Sequence, residues 1–348
     1  MRRLLIALLV ILVAPMLMLM CGPASGPYDT VGKVERLDPR IDALVPDGAA
    51  LEVLADGFDW SEGPVWIGDA LLFSDIPENA IYRWHATEGL MLYLQPSGYT
   101  GAASRGGEVG SNGLALDDEG QLVLAQHGDR RIARLDAALD SAVPAYRTLA
   151  DRYDGKRFNS PNDLVYHSSG RLYFTDPPYG LEHRMEDPAK ELDFQGVYRL
   201  DLDGTVTLLD SALTRPNGIA FSPDESLLYV ANSDPQNPIW VVYDVDDHGL
   251  LHNRRVFFDA SHLVAEGRPG LPDGLKVDMH GNLFATGPGG VLVFASDGTH
   301  LGTLNTGQAT SNCAFGGDGE TLFITADMYL LHIPNLSLIH ISEPTRPY

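Results

Sequence analysis

Six residues with oxygen-bearing side chains, Glu62, Asn112, Asn162, Asn217, Asp273 and Asn312, recur at one place in six similar stretches. The stretches read "SEGPVWIGDALLFSD" from Ser61, "SNGLALDDEGQLVLAQHGDRRIARLD" from Ser111, "PNDLVYHSSGRLYFTD" from Pro161, "PNGIAFSPDESLLYVAN" from Pro216, "PDGLKVDMHGNLFATG" from Pro272 and "SNCAFGGDGETLFITAD" from Ser311. Asn and Asp before Gly are turn formers, able to sit in left-handed backbone and bond their own main chain. They are also oxygen ligands. Glu62 precedes Gly with no turn-forming advantage of its own, so the set in one register favours ligation. Two carboxylates and two amide oxygens, from Glu62, Asn162, Asn217 and Asp273, would form a net-negative oxygen cage. Ca²⁺ prefers such a cage, and Mg²⁺ tolerates it less well because its geometry is stricter.

Residues so far apart in sequence need a repeating scaffold to meet. The key positions are spaced by 50, 50, 55, 56 and 39 residues, and steps of ~40 to 50 residues with several strands each are the sequence form of propeller blades. Runs such as "GLALD", "QLVLAQ", "RLYFTD" and "LLYVAN" are short, apolar and bounded by turn residues, as strands are. No sustained 3.6-residue apolar stripe runs between Val31 and Pro334, and "DPAKELDF" from Asp187 is at most a short helix. The reading is therefore all-β: a six-bladed β-propeller over residues 51–335, with four-stranded blades around a central channel. The early strand "ALEVLAD" from Ala50 would complete the last blade and close the ring, hiding an edge. In such a ring the equivalent loop residues face one another across one mouth.

Composition bounds the function. A chain of 348 residues with 44% hydrophobic content can bury one large core or two ordinary ones. The balance of 24 Lys+Arg against 47 Asp+Glu, a net charge of −23, argues against nucleic acid, which needs a basic surface. Arg2-Arg3 followed by an apolar run from Leu4 to Met20 and "CGPASG" reads as an export leader over residues 1–26. Three outcomes stay open: acylation at Cys21, cleavage near Ala24 to Gly26, or an uncleaved anchor. Each exports the mature domain to a periplasmic or membrane-anchored place, and any membrane attachment would be through this segment alone. Residues 27–50 read as a linker and 336–348 as an atypical tail that repeats no blade feature. Cys21 and Cys313 are too few for a disulfide framework, and Cys313 reads as a small buried residue.

With "SEGPVW", "NSPNDL", "RPNG" and "PDG" in that order, the chain resembles the gluconolactonase and regucalcin (senescence marker) family of six-bladed propellers, over roughly Leu51 to Ile333. The "FTDPPYG" text from Phe174 places it nearer the bacterial gluconolactonase-like branch. The resemblance implies that Glu62, Asn217 and Asp273 are divalent-metal ligands, with Ca²⁺ the expected ion, and that Asn162 binds metal or substrate beside it. In regucalcin-like members a basic residue precedes the third-blade Asn; here "KRFNSPND" sets Arg157, the candidate for that substrate contact, five residues before Asn162.

The chemistry expected is metal-assisted hydrolysis of a lactone, with the carbonyl polarised and the oxyanion stabilised as water attacks. Asp273 is the candidate to accept the water's proton, and His127, in "AQHGDRR", is its rival or a substrate donor. Asn112 and Asn312 are candidates for sugar hydroxyls, and Asp176 and Tyr179 for the mouth wall. No G-x-S-x-G, no H-E-x-x-H and no Cys pair at zinc spacing is present, so serine-hydrolase and zinc mechanisms lack their parts. A different class also fits: a non-catalytic propeller, pinned by calcium, that binds a sugar acid or a partner protein at the same mouth.

Overall fold

Each recurring unit folds as antiparallel strands because its short β-branched and aromatic runs alternate with Gly- and Asp-containing turns. The structure, a computed structural model, describes residues 28–317 and 319–337. The leader and Cys21 lie outside the described residues, as does most of the C-terminal tail.

The inner strands of the six blades are Ser61–Ile67, Ser111–Leu116, Leu164–Tyr166, Pro216–Phe221, Leu275–Val277 and Asn312–Gly316. Blades 1 to 4 are four-stranded and built from consecutive strands, ending at Gly89–Leu94, Tyr146–Ala150, Val206–Asp210 and Leu251–Asp259. In blade 6, Leu51–Asp56 pairs with Tyr329–Ile333, so the two ends of the domain close the ring as expected.

The segment expected to be a linker is instead built into the sheets. Thr30–Val31 pairs outside Leu51–Asp56 in blade 6, and Lys33–Arg36 pairs outside His300–Asn305 in blade 5, making both sheets five-stranded. The physical reason is that outer strands expose rows of N–H and C=O groups, which the nearest free length of chain satisfies. Leu336, placed at the start of the atypical tail, is buried, and Ser337 N–H donates to Leu44 O at 2.9 Å. The "DPAKELDF" stretch forms turns rather than a helix; the α-helix described is Ser261–Ala265.

The core lies between blades rather than around one centre. Leu71 and Phe73 of blade 1 pack with Ala314, Phe323 and Leu330 of blade 6, and Trp66 stacks on Phe323 at 5.3 Å. Cys313 is fully buried in the neighbouring cluster between blades 5 and 6.

Candidate active site

The oxygen-bearing residues are joined from blade to blade by repeated short contacts. Gly113 N–H donates to Asn162 O at 2.8 Å, and Gly274 N–H donates to Ser311 O at 2.7 Å. Gly63, at φ 50°, approaches blade 2 so closely that a Cβ there would lie 2.0 Å from Asn112 O; one on Gly218 would lie 2.3 Å from Asp273 O. Second-strand hydroxyls reinforce the same links: Ser74 Oγ donates to Asn112 O at 3.0 Å, and Thr175 Oγ1 to Asn217 O at 2.7 Å. The glycine therefore lets adjacent inner strands close up, and the residue before it is left to face the mouth.

A second device fixes the loops that enter these strands. Asp75 accepts from Asp59 N–H at 3.1 Å and Trp60 N–H at 3.2 Å. Asp176 accepts from Asn159 N–H at 2.8 Å and Ser160 N–H at 2.7 Å, and Asn232 Oδ1 accepts from Arg215 N–H at 2.8 Å. Asp176 is thus fully buried under the mouth rather than on its wall, and burial pushes its carboxyl up to about 7.

The mouth is a cavity of about 350 Å³. Of the residues expected there, Glu62, Asn112, Asn162, Asn217, Asp273 and Tyr179 line it. Asn312 sits beneath, its Nδ2 donating to Glu62 Oε2 at 3.3 Å. His127 is fully buried behind Asn162, with Nε2 3.4 Å from Asn162 Nδ2. Arg157 is not brought to the cavity; its guanidinium donates to Asp129 O at 2.8 Å and its N–H to Glu191 Oε2 at 2.8 Å.

The electrostatics of the mouth are set by crowded, buried carboxyls. Burial pushes the Glu62 carboxyl up to about 8, against the N–H of Gly63 and with the charge of Asp163 adding to the rise. Burial, then the charge of Glu62, raises Asp273 well above its ordinary value. Asn112 Oδ1, Asn162 Oδ1 and Asp273 Oδ1 are buried with no hydrogen-bond partner among the described residues, although buried polar atoms are paired as a rule. Among the described residues no three His, Cys, Asp or Glu side chains cluster as a metal site. A cation here would therefore rest on two carboxylates with Asn oxygens supplementing them, a donor set that fits a hard divalent ion.

Several wall residues escaped the sequence reading. Trp60 and Arg215 each lie one residue before the repeated text, and extending the units by one position would have found them. Glu108 and Arg184 lie on loops with no repeat signal. Asp163 occupies the place that Gly63, Gly113, Gly218 and Gly274 hold in other units; its carboxylate, fully buried, accepts from Leu164 N–H at 2.9 Å.

Comparison with known proteins agrees with this geometry. Residues 60–327 match the family described as SMP-30/Gluconolactonase/LRE-like region. A gluconolactonase of Zymomonas mobilis is 44% identical over 319 residues, covering 87% of this chain and 86% of its own. A pentonolactonase of Haloferax volcanii is 29% identical, covering 76% of this chain and 80% of its own. Among solved structures, a gluconolactonase from Xanthomonas campestris is 34% identical with a TM-score of 0.76, covering 89% of this chain and 98% of that one. The calcium-binding protein regucalcin from Agrobacterium tumefaciens shares the fold, with a TM-score of 0.65 at 19% identity over 85% of this chain and 97% of its own. The chain belongs to the SMP-30/gluconolactonase/LRE-like family of six-bladed β-propellers.

Proposed function

We propose that this protein is a sugar-lactone hydrolase, acting on a lactone such as gluconolactone, with Ca²⁺ held at the mouth by Glu62, Asn162, Asn217 and Asp273. The observation that carries the reading is the convergence of three partnerless buried oxygens with the Glu62 carboxylate in one cavity. Gluconolactonase and pentonolactonase relatives covering most of the chain support the reaction class. When bound, the cation supplies Lewis acidity toward a carbonyl oxygen.

The remaining roles belong to the chain. Trp60 and Tyr179 provide aromatic walls for a sugar ring, and Asn112 Oδ1 is an acceptor for a ring hydroxyl. Asp273 draws the proton from the attacking water, a role that its partnerless Oδ1 supports. Water oxygen bonds to the carbonyl carbon, the ring C–O bond breaks, and the ring oxygen takes up the proton drawn onto Asp273 and leaves as a hydroxyl, giving the open hydroxy acid. The leader expected in residues 1–26 supports an exported, periplasmic or membrane-anchored enzyme.

The test is a panel of aldono-lactones on the purified domain, with EDTA and with calcium restored. Turnover that EDTA abolishes and calcium restores is expected. Calcium binding without hydrolysis of any lactone would replace the enzyme by a non-catalytic sugar-acid or protein binder.

A further inference from the structure

We infer that Glu108 and His127 are positioning residues that fix the side-chain amide of Asn162 with its oxygen turned into the mouth. The two ends of an Asn amide have nearly the same shape, and only their hydrogen-bond partners decide which end faces a site. For a residue asked to offer an oxygen to a cation or a substrate, a flipped amide would present a donor in its place.

The partners here form a chain with a single polarity. Glu108 Oε2 lies 3.4 Å from His127 Nδ1, a buried nitrogen that makes no hydrogen bond among the described residues, so the carboxylate faces it as a charge rather than as a bonded acceptor. The negative charge of that carboxylate favours the neutral imidazole with its proton on the Nδ1 side, which leaves the lone pair on Nε2. That nitrogen, 3.4 Å from Asn162 Nδ2, accepts from the amide N–H. Asn162 Oδ1 is then directed away from His127, buried and without a protein partner.

Loops from different blades hold the chain in place. A Cβ on Gly180 would fall 2.7 Å from the Cβ atoms of both His127 and Ser160, so the loop after Pro178 is seated directly against the base of the His127 side chain. Gly180 N–H donates to Ser160 Oγ at 2.9 Å, and Arg105 donates to Gly180 O. Arg184 Nη2 lies 3.8 Å from the other carboxylate oxygen, Glu108 Oε1. His127, absent from the cavity wall and directed at the amide, acts through Asn162 rather than on substrate.

The consequence for turnover rests on the proposed lactone hydrolysis, whereas the orientation itself can be read without substrate. Long-range ¹H–¹⁵N spectra of the metal-free protein, with His127→Gln to assign the signals, should show the Nδ1–H tautomer of His127. Glu108→Gln should shift it toward Nε2–H and lower kcat/KM by about tenfold or more, because a misdirected group at the reacting centre is costly. In an Asn162→Asp background, where both ends are oxygens, the same change should cost less than about threefold, both in turnover and in calcium affinity by calorimetry. An Nε2–H tautomer or an imidazolium in the wild type would overturn the inference. So would equal losses in both backgrounds, or a Glu108→Gln protein with unchanged tautomer and turnover. Failure of every lactone would remove the enzymatic reading while leaving the tautomer result to decide this one.

Discussion

Replacing Glu62 by Gln should weaken the site and strengthen the metal-free fold at the same time. Gly63 N–H, at 2.7 Å, and Asn312 Nδ2, at 3.3 Å, both donate to Oε2. A glutamine carbonyl placed there keeps both bonds and presents an NH₂ where Oε1 was. The carboxyl of Glu62 is pushed by burial from its ordinary 4.5 up to about 8. A group whose pKa is higher in the folded than in the unfolded chain binds more protons when folded, so its contribution to stability falls as pH rises through that interval. At about 1.36 kcal/mol per unit, the loss is about 1 kcal/mol at pH 5 and about 5 kcal/mol at pH 9. Glu62→Gln abolishes that loss. Melted in EDTA, it should match the wild type within a few degrees at pH 5 and exceed it at pH 9 by about 10 °C, taking ~2 °C per kcal/mol for a domain of this size. Added calcium should reverse the order, since it stabilises only the protein that binds it. A glutamine variant no more stable than wild type at pH 9 in EDTA, or one that calcium stabilises equally, would refute the buried-charge account of the mouth.

Other outcomes follow from the same geometry. Asn162→Ala should retain most calcium affinity, measured by calorimetry, yet lose lactone turnover, because a neutral oxygen adds less to ion binding than a carboxylate; its melting temperature with calcium present checks that the fold survives. Gly218→Ala should destabilise by about 1–3 kcal/mol in urea unfolding, because its Cβ would lie 2.3 Å from Asp273 O, and should weaken calcium binding as Asp273 is displaced. Deleting residues 28–36 should expose the outer edges of blades 5 and 6, seen as concentration-dependent aggregation in light scattering. If Cys21 is acylated after export, a palmitate analogue should label the wild type and spare Cys21→Ser; an unlabelled wild type would point to cleavage or an uncleaved anchor.

Sequence alone determined the periodic part of this protein. Six units in one register required six equivalent inner strands, and a closed ring of equivalent strands brings Glu62, Asn162, Asn217 and Asp273 to one mouth. Their side chains follow the repeat, so the repeat exposes them. Tertiary structure alone decided what does not repeat. Glu108 and Arg184 sit on loops of unequal length whose paths depend on packing against one another, and no local pattern records that contact. Arg157 shows the converse: nearness to Asn162 in sequence suggested a substrate contact, but the hairpin of Arg152–Tyr153 and Lys156–Arg157 carries its guanidinium to Asp129 O instead. His127 was visible as a residue and not as a partner, because Asn162 comes from the next blade and Glu108 from the non-repeating loop that enters its own. The strap at residues 30–36 has the same cause: strand edges accept whichever chain lies nearest in space, and only the closed fold determines which chain that is.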